Sequence, residues 1–376
     1  MWHAGTVNRF SLPAAGALVV VSTLVGCGSS QPSGESPATG ASSVATVPDS
    51  GLELTVSRDV TTGLQAPWSM ALLPGAEQAL VSERDSARIL LLNLGDGTTE
   101  LAGEVDGVVS DGEAGLMGLA VNSSGDRVFA MYTAEDGNRV VSMPFRNATL
   151  GKETDVVTGI PREWNHDGGR IAIGPDDLLY IATGDAAVPP NAQDLGSLAG
   201  KILRTTLQGD PAPDNPFPDA PLVYSYGHRN VQGLAFDEAD RLWATEFGSS
   251  EYDELNLIVP GGNYGWPEVE GPGTGPDGDF IAPKAYWTPT AIASPSGLAI
   301  ASGSAWVAAL RGETLYEVPL SGDEAGQPKS WFQGQYGRLR DVVSDGEQTL
   351  YVMTSNTDGR GTPRSGDDRI IELSIR

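Results

Sequence analysis

Short apolar segments separated by polar turns recur along most of the chain. Self-comparison finds one unit six times, and each unit begins with an apolar segment that ends near a turn. These first segments begin at Trp68, Gly115, Gly168, Val231, Pro295 and Leu339. A second segment follows each turn and begins at Ala79, Val128, Leu178, Leu242, Ala305 and Leu350. Paired apolar segments with Gly, Asp and Ser between them predict β-hairpins.

The length of the unit indicates how the hairpins are arranged. Dividing the 326 residues after residue 50 of the 376-residue chain among six units gives about 54 residues each, close to a four-stranded propeller blade. We therefore predict an all-β fold, a six-bladed β-propeller of four-stranded antiparallel blades. Residues 53–60 are expected to close the ring as one strand of the blade that ends at Ile375. A β-sandwich of irregular strands is the alternative, but it does not predict a six-fold repeat.

The amino terminus has the pattern of an export signal. Residues 1–26 combine a weakly basic start with an apolar run that is too short to span a bilayer comfortably. The run ends in LVGC, which resembles the lipobox of bacterial lipoproteins and places the chain's single cysteine, Cys27, at the site of lipidation. A plain secretory signal with a chance cysteine is the alternative. We expect an extracytoplasmic protein that is lipid-anchored to the bacterial cell membrane.

Composition divides the rest of the chain and narrows its partners. Residues 27–50 are rich in Ser, Gly, Pro, Ala and Thr and predict a flexible tether, so residues 51–376 are the predicted propeller domain. The formal net charge of −26 leaves little Lys and Arg to replace the counterions of DNA or RNA, which argues against nucleic-acid binding. We expect contact with the membrane only through the lipid.

Two histidines of the predicted domain lie next to chemically useful residues. His166 directly precedes a first strand, and Asp185 directly follows the strand paired with it, so the two are neighbours in a hairpin. A carboxylate beside a histidine fixes its tautomer and suits it to accept a proton near neutral pH. The alternative is a turn-capping histidine and a backbone-binding aspartate. His228 lies beside Arg229, which suits an oxyanion or carboxylate ligand or a salt bridge between blades.

Several segments together carry a family resemblance. They read NHDGGRIAIGPDDLLYIATGD, AQDLGSLAGKILR, DNPF, YSYGHRNVQGLAF, DELNLI, PGGNYGWP and GRLRDVVSD. In this order they resemble the pyrroloquinoline-quinone-dependent soluble glucose and aldose sugar dehydrogenases, also called the glucose/sorbosone dehydrogenase family. The similarity covers nearly all of residues 60–375, and the compact aldose sugar dehydrogenase type fits best because long insertions are missing.

The resemblance implies roles for the residues that match the family's motifs. It implies that His166 is the general base, that Asp185 orients it and that Arg229 stabilises the developing quinone oxyanion. The implied contacts to pyrroloquinoline quinone (PQQ) come from Arg229, Asn230, Arg311, Arg338 and Arg340. A tricarboxylate cofactor needs such a local concentration of cations in a chain of strongly negative net charge.

Calcium is the second cofactor that the resemblance implies. The carbonyl groups of Gly248 and Ser249 correspond to those that hold Ca²⁺ against the quinone in relatives, which usually have proline at the second position. Glu254 and the carbonyl group of Tyr264 correspond to a structural calcium site. Oxygen ligands of both kinds suit Ca²⁺. A solvated acidic turn is the alternative for the acidic residues here.

One position departs from the family's pattern. Glu113 stands in GEAGLMG where relatives commonly have a glutamine that contacts the cofactor. A carboxylate that faces a tricarboxylate is unfavourable unless it is protonated or paired. We therefore expect Glu113 to weaken quinone binding, unless a nearby arginine already pairs with it.

The resemblance implies an oxidoreductase that converts the anomeric carbon of aldose sugars to lactones, with PQQ as the bound hydride acceptor. The electrons would pass on to an unidentified acceptor. Two other classes remain open. A calcium-dependent lactonase-type propeller would need a carboxylate-rich cage in the central channel. A non-catalytic propeller lipoprotein that binds a ligand or partner would fit a loss of quinone affinity at Glu113.

Overall fold

The computed structural model describes residues 47–346 and 348–376. These residues form six antiparallel sheets arranged as the blades of a six-bladed β-propeller, which confirms the predicted fold. The predicted export signal, Cys27 and most of the predicted tether lie outside the described residues.

The first three blades follow one another along the chain. The first blade contains β2 (Pro67–Leu72), β3 (Gln78–Glu83), β4 (Arg88–Asn93) and β5 (Thr99–Glu104). The second contains β6 (Leu116–Val121), β7 (Arg127–Ala134), β8 (Gly137–Arg146) and β10 (Thr154–Ile160), with the two-residue β9 (Thr149–Leu150) paired to β8. The third contains β11 (Ile171–Ile173), β12 (Leu179–Ala182), β13 (Lys201–Thr205) and β14 (Val223–Tyr226).

The remaining blades complete the ring. The fourth contains β15 (Val231–Phe236), β16 (Leu242–Glu246), β17 (Asp253–Ile258) and β18 (Ala285–Trp287). The fifth contains β19 (Pro295–Ala301), β20 (Ser304–Ala309), β21 (Thr314–Ser321), the short β22 (Glu324–Ala325) and β23 (Lys329–Trp331). The sixth contains β24 (Leu339–Ser344), β25 (Thr349–Thr354), β26 (Arg369–Ile375) and β1 (Leu54–Thr62).

Helical structure is limited to two short 3₁₀ turns in this part of the chain. They cover Pro189–Ala192, between β12 and β13, and Thr290–Ile292, between β18 and β19. None of the described helices is long and apolar enough to cross a membrane.

The strands are apolar without strict alternation because neighbouring blades cover both of their faces. Leu80 of the first blade and Val128 of the second are both fully buried and belong to one apolar cluster between these blades. The same packing buries five consecutive residues of β3. Strands covered on both faces read as continuous hydrophobic segments. This is why the repeat is visible in the sequence.

The ring closes with β1, as predicted. β1 pairs antiparallel with β26, and Leu54 lies opposite Ile375. The backbone N–H of Glu53 donates to the carbonyl oxygen of Arg376 at 2.9 Å. The residues just before this strand also contact the fifth blade, because the Ser50 hydroxyl donates to the Glu317 carboxylate. Ser50 was predicted to belong to the flexible tether.

Antiparallel pairing gives the propeller two different faces. The first strand of each blade begins, and the second strand ends, on the face that we call the mouth. In the third blade, for example, Ile171 at the start of β11 lies opposite Ile181 near the end of β12. Loops that follow second strands and loops that precede first strands therefore meet at the mouth.

Candidate active site

His166 and Asp185 form a hydrogen bond at the mouth. The His166 Nδ1 and Asp185 Oδ1 atoms are 2.8 Å apart. The other carboxylate oxygen of Asp185 accepts a hydrogen bond from the Trp266 indole N–H at 2.8 Å. Asp185 is fully buried, whereas 15% of the His166 side chain is exposed. The carboxylate is thus held in place from both sides, and the imidazole remains accessible.

The backbone around His166 has a conformation that directs the imidazole. His166 has a positive φ of 60°, which non-glycine residues rarely adopt. Its N–H donates to Glu113 Oε2 at 3.0 Å, and its carbonyl oxygen accepts from the Ala186 N–H at 3.2 Å. A Cβ at Gly184 would lie 1.8 Å from the His166 carbonyl oxygen. Only glycine therefore permits this close approach between the two loops.

Arg229 determines which imidazole nitrogen of His166 is the hydrogen-bond acceptor. Its Nη2 lies 2.9 Å from His166 Nε2. A guanidinium can only donate, so Nε2 is the accepting nitrogen and Nδ1 carries the proton that is donated to Asp185. The Arg229 guanidinium also lies 5.3 Å from the centroid of the Trp266 ring. Burial lowers the pKa of Arg229, and the carboxylates of Asp185 and Glu246 oppose this shift.

His228 has a structural position below the mouth. Its ring is fully buried and lies between Ser225 Oγ and Glu246 Oε2, at 2.9 Å from each. It also stacks on Tyr264 with ring centroids 4.7 Å apart. Glu246 additionally accepts the backbone N–H of Arg229. His228 and Glu246 thus fix the segment that carries Arg229.

Arg338 and Arg340 share an acidic partner that was not singled out in the sequence. Arg338 Nη2 lies 3.0 Å from Asp358 Oδ2, and Arg340 Nη2 lies 3.9 Å from the same oxygen. Arg340 Nη1 also donates to Gln232 Oε1 at 3.0 Å. Burial is the main cause that lowers the pKa of Arg340, to about 9. The Nε atoms of both arginines are buried and have no hydrogen-bond partner among the described residues.

The remaining predicted cofactor contacts lie on the same face. Arg311 is exposed in the turn after β20 and has no hydrogen bond or ion pair within the described residues. Asn230 accepts the Gly168 N–H at 3.0 Å and donates to Glu113 Oε2 at 3.3 Å. Asn230 therefore links the segment after His166 to the loop that carries Glu113.

Glu113 has a cationic partner, Arg360, in the loop before β26. Arg360 Nη1 lies 3.4 Å from Glu113 Oε1. With the donors from His166 and Asn230, the carboxylate accepts three hydrogen bonds. The geometry therefore favours the paired alternative for this departure from the family's pattern over uncompensated repulsion of the cofactor.

The loop that contains Gly248 and Ser249 is ordered by a carboxylate that the sequence analysis missed. Glu270 Oε1 accepts the backbone N–H groups of four consecutive residues, 249–252, at 2.8 to 3.0 Å. These bonds lower the pKa of Glu270, against its desolvation. The Gly248 carbonyl oxygen accepts Arg229 Nη1 at 2.6 Å. This predicted calcium ligand is therefore bound to a guanidinium in the structure.

Glu254 and Tyr264 lie in a buried region beside this loop. Glu254 accepts the Gly271 N–H at 2.7 Å and the Asn256 side-chain amide at 3.0 Å. Burial, followed by the neighbouring Glu246, raises the pKa of Glu254 to about 8. The Asn256 Oδ1 atom is buried and has no protein partner in the described part of the chain.

Side chains alone do not make a metal centre in the described residues. No group of three or more His, Cys, Asp or Glu residues suited to a metal ion occurs there. A calcium ion in either predicted position would therefore depend on backbone carbonyl groups. The carboxylate-rich cage required by the lactonase alternative is likewise not found within residues 47–346 and 348–376.

Comparison with known proteins places the chain in a family. The sequence model of the family "Glucose / Sorbosone dehydrogenase" matches residues 64–363. The aldose sugar dehydrogenase YliI of Escherichia coli is 28% identical, with 79% of this chain and 89% of that protein covered. Quinoprotein glucose dehydrogenase B of Acinetobacter calcoaceticus is 33% identical over 54% of this chain and 50% of its own length.

A solved structure agrees with this assignment. The PQQ-bound aldose sugar dehydrogenase of Streptomyces coelicolor is 49% identical, with a TM-score of 0.84 and coverage of 88% of this chain and 100% of that chain. The resemblance deduced from the motifs is therefore confirmed over most of the propeller, and the chain belongs to the glucose/sorbosone dehydrogenase family.

Proposed function

We propose that the protein oxidises the anomeric carbon of aldose sugars to lactones, with PQQ as the bound hydride acceptor, and passes the electrons to an unidentified acceptor. The observation that carries this proposal is the series of hydrogen bonds from Asp185 through His166 to Arg229 at the mouth. The names of similar proteins support the same chemistry, since they include aldose sugar and quinoprotein glucose dehydrogenases.

The residues at the mouth fit a tricarboxylate quinone. Arg311 is exposed and has no acidic partner in the described residues, so its charge is available to a ligand. Arg338 and Arg340 each keep a buried Nε donor without an acceptor. Unpaired buried donors are costly, and carboxylate oxygens would satisfy them. Arg229 and Asn230 would complete the set that holds the quinone.

Asp185, His166 and Arg229 each have a defined role in this proposal. PQQ, when bound, supplies the acceptor for the hydride that leaves the anomeric carbon. His166 removes the proton of the anomeric hydroxyl at Nε2, and Asp185 stabilises the imidazolium through the Nδ1–H bond. Arg229, released from Nε2 when substrate occupies the mouth, stabilises negative charge that develops on an oxygen beside it.

The donor groups around Glu254 support calcium as a second cofactor. A carboxylate whose pKa is raised by burial and by Glu246 gains from a bound cation, and the unpartnered Asn256 oxygen is a further ligand of the preferred kind. The Tyr264 carbonyl would complete this site. At the mouth, Gly248 and Ser249 would hold a second Ca²⁺ only after Arg229 leaves the Gly248 carbonyl.

We further propose that the protein is exported and anchored through lipidated Cys27, as its sequence pattern implies. The propeller would then work outside the cytoplasmic membrane, where sugars reach it directly.

Reconstitution tests the proposed activity. Purified residues 51–376 are incubated with PQQ and Ca²⁺ and assayed against a panel of aldoses with an artificial dye acceptor. We expect dye reduction that depends on PQQ and on an aldose. His166→Asn is the matched control, which should keep quinone binding and lose turnover by about 10² to 10⁴. Quinone binding without turnover on any sugar would favour the non-catalytic alternative, and a normal rate in the variant would refute the role of His166.

A further inference from the structure

Asp167, the residue next to His166, is a buried acid at the mouth that no step of the proposed reaction uses. It is 1% exposed. Its Oδ1 atom accepts the Asn138 side-chain amide at 2.8 Å and the Glu163 backbone N–H at 3.3 Å. Its Oδ2 atom is buried and has no partner among the described residues. The Oδ1 atom is therefore held by two hydrogen bonds, whereas the Oδ2 atom has none in the described part of the chain.

Asp167 is one of the residues that line a small pocket at the mouth. The same pocket is lined by Trp68, Glu113, Gln232, Arg340 and Arg360. The other charged or titratable residues around Asp167 are His166, Arg162 and Glu163. Desolvation is the main cause that raises the pKa of Asp167, to about 6, while Glu113 raises it further and Arg162 opposes the shift. An anion bound beside Arg340 and Arg360 would favour the neutral acid more strongly still.

We propose that Asp167 is a ligand-binding residue of this pocket, which takes up a proton when the carboxylate-bearing quinone binds and then donates a hydrogen bond to it from Oδ2. The inference rests on the proposed function, because it takes the quinone as the anionic ligand. It gives the unpartnered oxygen an acceptor and removes a negative charge from the pocket. Asp167 thereby becomes a binding residue beside the proposed base, and binding becomes linked to pH.

The proposal predicts how strongly, and in which direction, quinone binding depends on pH. With a pKa of about 6, only about one tenth of Asp167 is protonated at pH 7 in the free protein. Binding at pH 7 would then take up about nine tenths of a proton, and at pH 5 only about one tenth. Above pH 6 the quinone affinity should fall by up to about tenfold per pH unit. Carboxylates of ordinary pKa are already ionised in this range and do not contribute.

Calorimetric titration with PQQ at fixed Ca²⁺ tests the proposal. Titrations of residues 51–376 at pH 7 in two buffers with different ionisation enthalpies give the number of protons taken up. Affinity is then measured between pH 6 and 8. In Asp167→Asn an amide stands where the protonated acid would donate, so we expect retained binding, no proton uptake and a flat pH profile. Asp111→Asn is the control, because it makes the same charge change at an exposed residue near Glu113.

The outcomes separate this inference from the proposed function. Uptake near nine tenths of a proton in the wild type and the Asp111 variant, with none in the Asp167 variant, supports it. Quinone binding without proton uptake, or with the same uptake in Asp167→Asn, overturns the inference and leaves the proposed function standing. If the wild-type protein binds no PQQ at any pH, both are refuted. If Asp167→Asn fails to fold, the wild-type titration still tests the inference, because quinone binding without proton uptake overturns it.

Discussion

Lys201 at the start of β13 is fully buried, and replacing it should change how stability depends on pH. Its Nζ atom donates to the carbonyl oxygens of Asn191 and Ala199 at 2.7 Å and of Ala192 at 3.2 Å. The lysine thus holds the loop that follows Asp185. Desolvation lowers its pKa from 10.5 to about 8. We choose Lys201→Met because methionine fills a similar volume without the charge.

The direction of the effect follows from the lowered pKa. Between pH 8 and 10.5 the unfolded state binds a proton at Lys201 that the folded state has lost. The free energy of unfolding therefore rises with pH across this window. A shift of 2.5 pKa units corresponds to about 3.4 kcal/mol in total. From pH 7 to pH 9.5, titration of both states yields about 2 kcal/mol of this amount.

Urea denaturation at pH 7.0, 8.0, 9.0 and 9.5 measures this contribution. The wild-type free energy of unfolding minus that of Lys201→Met should increase by about 2 kcal/mol across the series. Taking the difference cancels other titrating groups. Lys152→Met serves as the matched control, because it removes the same charge at an exposed position. A constant or falling difference would refute the assignment of a buried ammonium group to Lys201.

Further predictions concern the site and the anchor. Asp185→Asn should lower turnover by about 10² to 10⁴ in the dye assay, because the NH₂ group of the new amide would face another donor in either orientation. That donor is the Trp266 indole in one orientation, and the Ala187 N–H and His166 Nδ1–H in the other. An unaffected rate would contradict the orienting role of Asp185. Calcium should raise the melting temperature of the wild type but not of Glu254→Gln, and an equal rise in both would place the ion elsewhere. Glu113→Gln removes the acidic partner of Arg360. Quinone binding should weaken by about two- to fivefold, the range for an exposed ion pair. Tighter binding would instead indicate that the Glu113 carboxylate repels the cofactor. Cys27→Ser should move the protein from the membrane fraction to the soluble fraction, and unchanged fractionation would defeat the lipoprotein proposal.

The contacts that the sequence predicts best are those set by a single hairpin. His166 and Asp185 flank paired strands, so antiparallel register alone brings them together. β1 was placed beside β26 because ring closure was expected to use residues 53–60 as one strand of the blade that ends at Ile375. In both cases the repeat fixes the geometry, and the observed strand bounds differ from the predicted ones by only a few residues.

The contacts that the sequence does not predict depend on the paths of long loops. Trp266 contacts Asp185 from 81 positions further along the chain, through the loop between β17 and β18. Asp358 and Arg360 reach Arg338 and Glu113 from the loop between β25 and β26. Glu270 binds four backbone N–H groups, a role that leaves no side-chain pattern. Neither strand period nor turn chemistry specifies where such loops fold back.

Closure of the ring by β1 also determines where a fusion partner or a solid support can be attached without covering the mouth. Leu54 and Ile375 are paired at the ends of β1 and β26 that lie away from the mouth, so β1 begins and β26 ends on the far side of the propeller. A fusion partner, an affinity tag or a linker to a solid support joined directly after β26 would therefore leave the mouth open to solution. The end of β26 thus offers an attachment point for immobilisation with one uniform orientation, and the mouth would point outward from the surface.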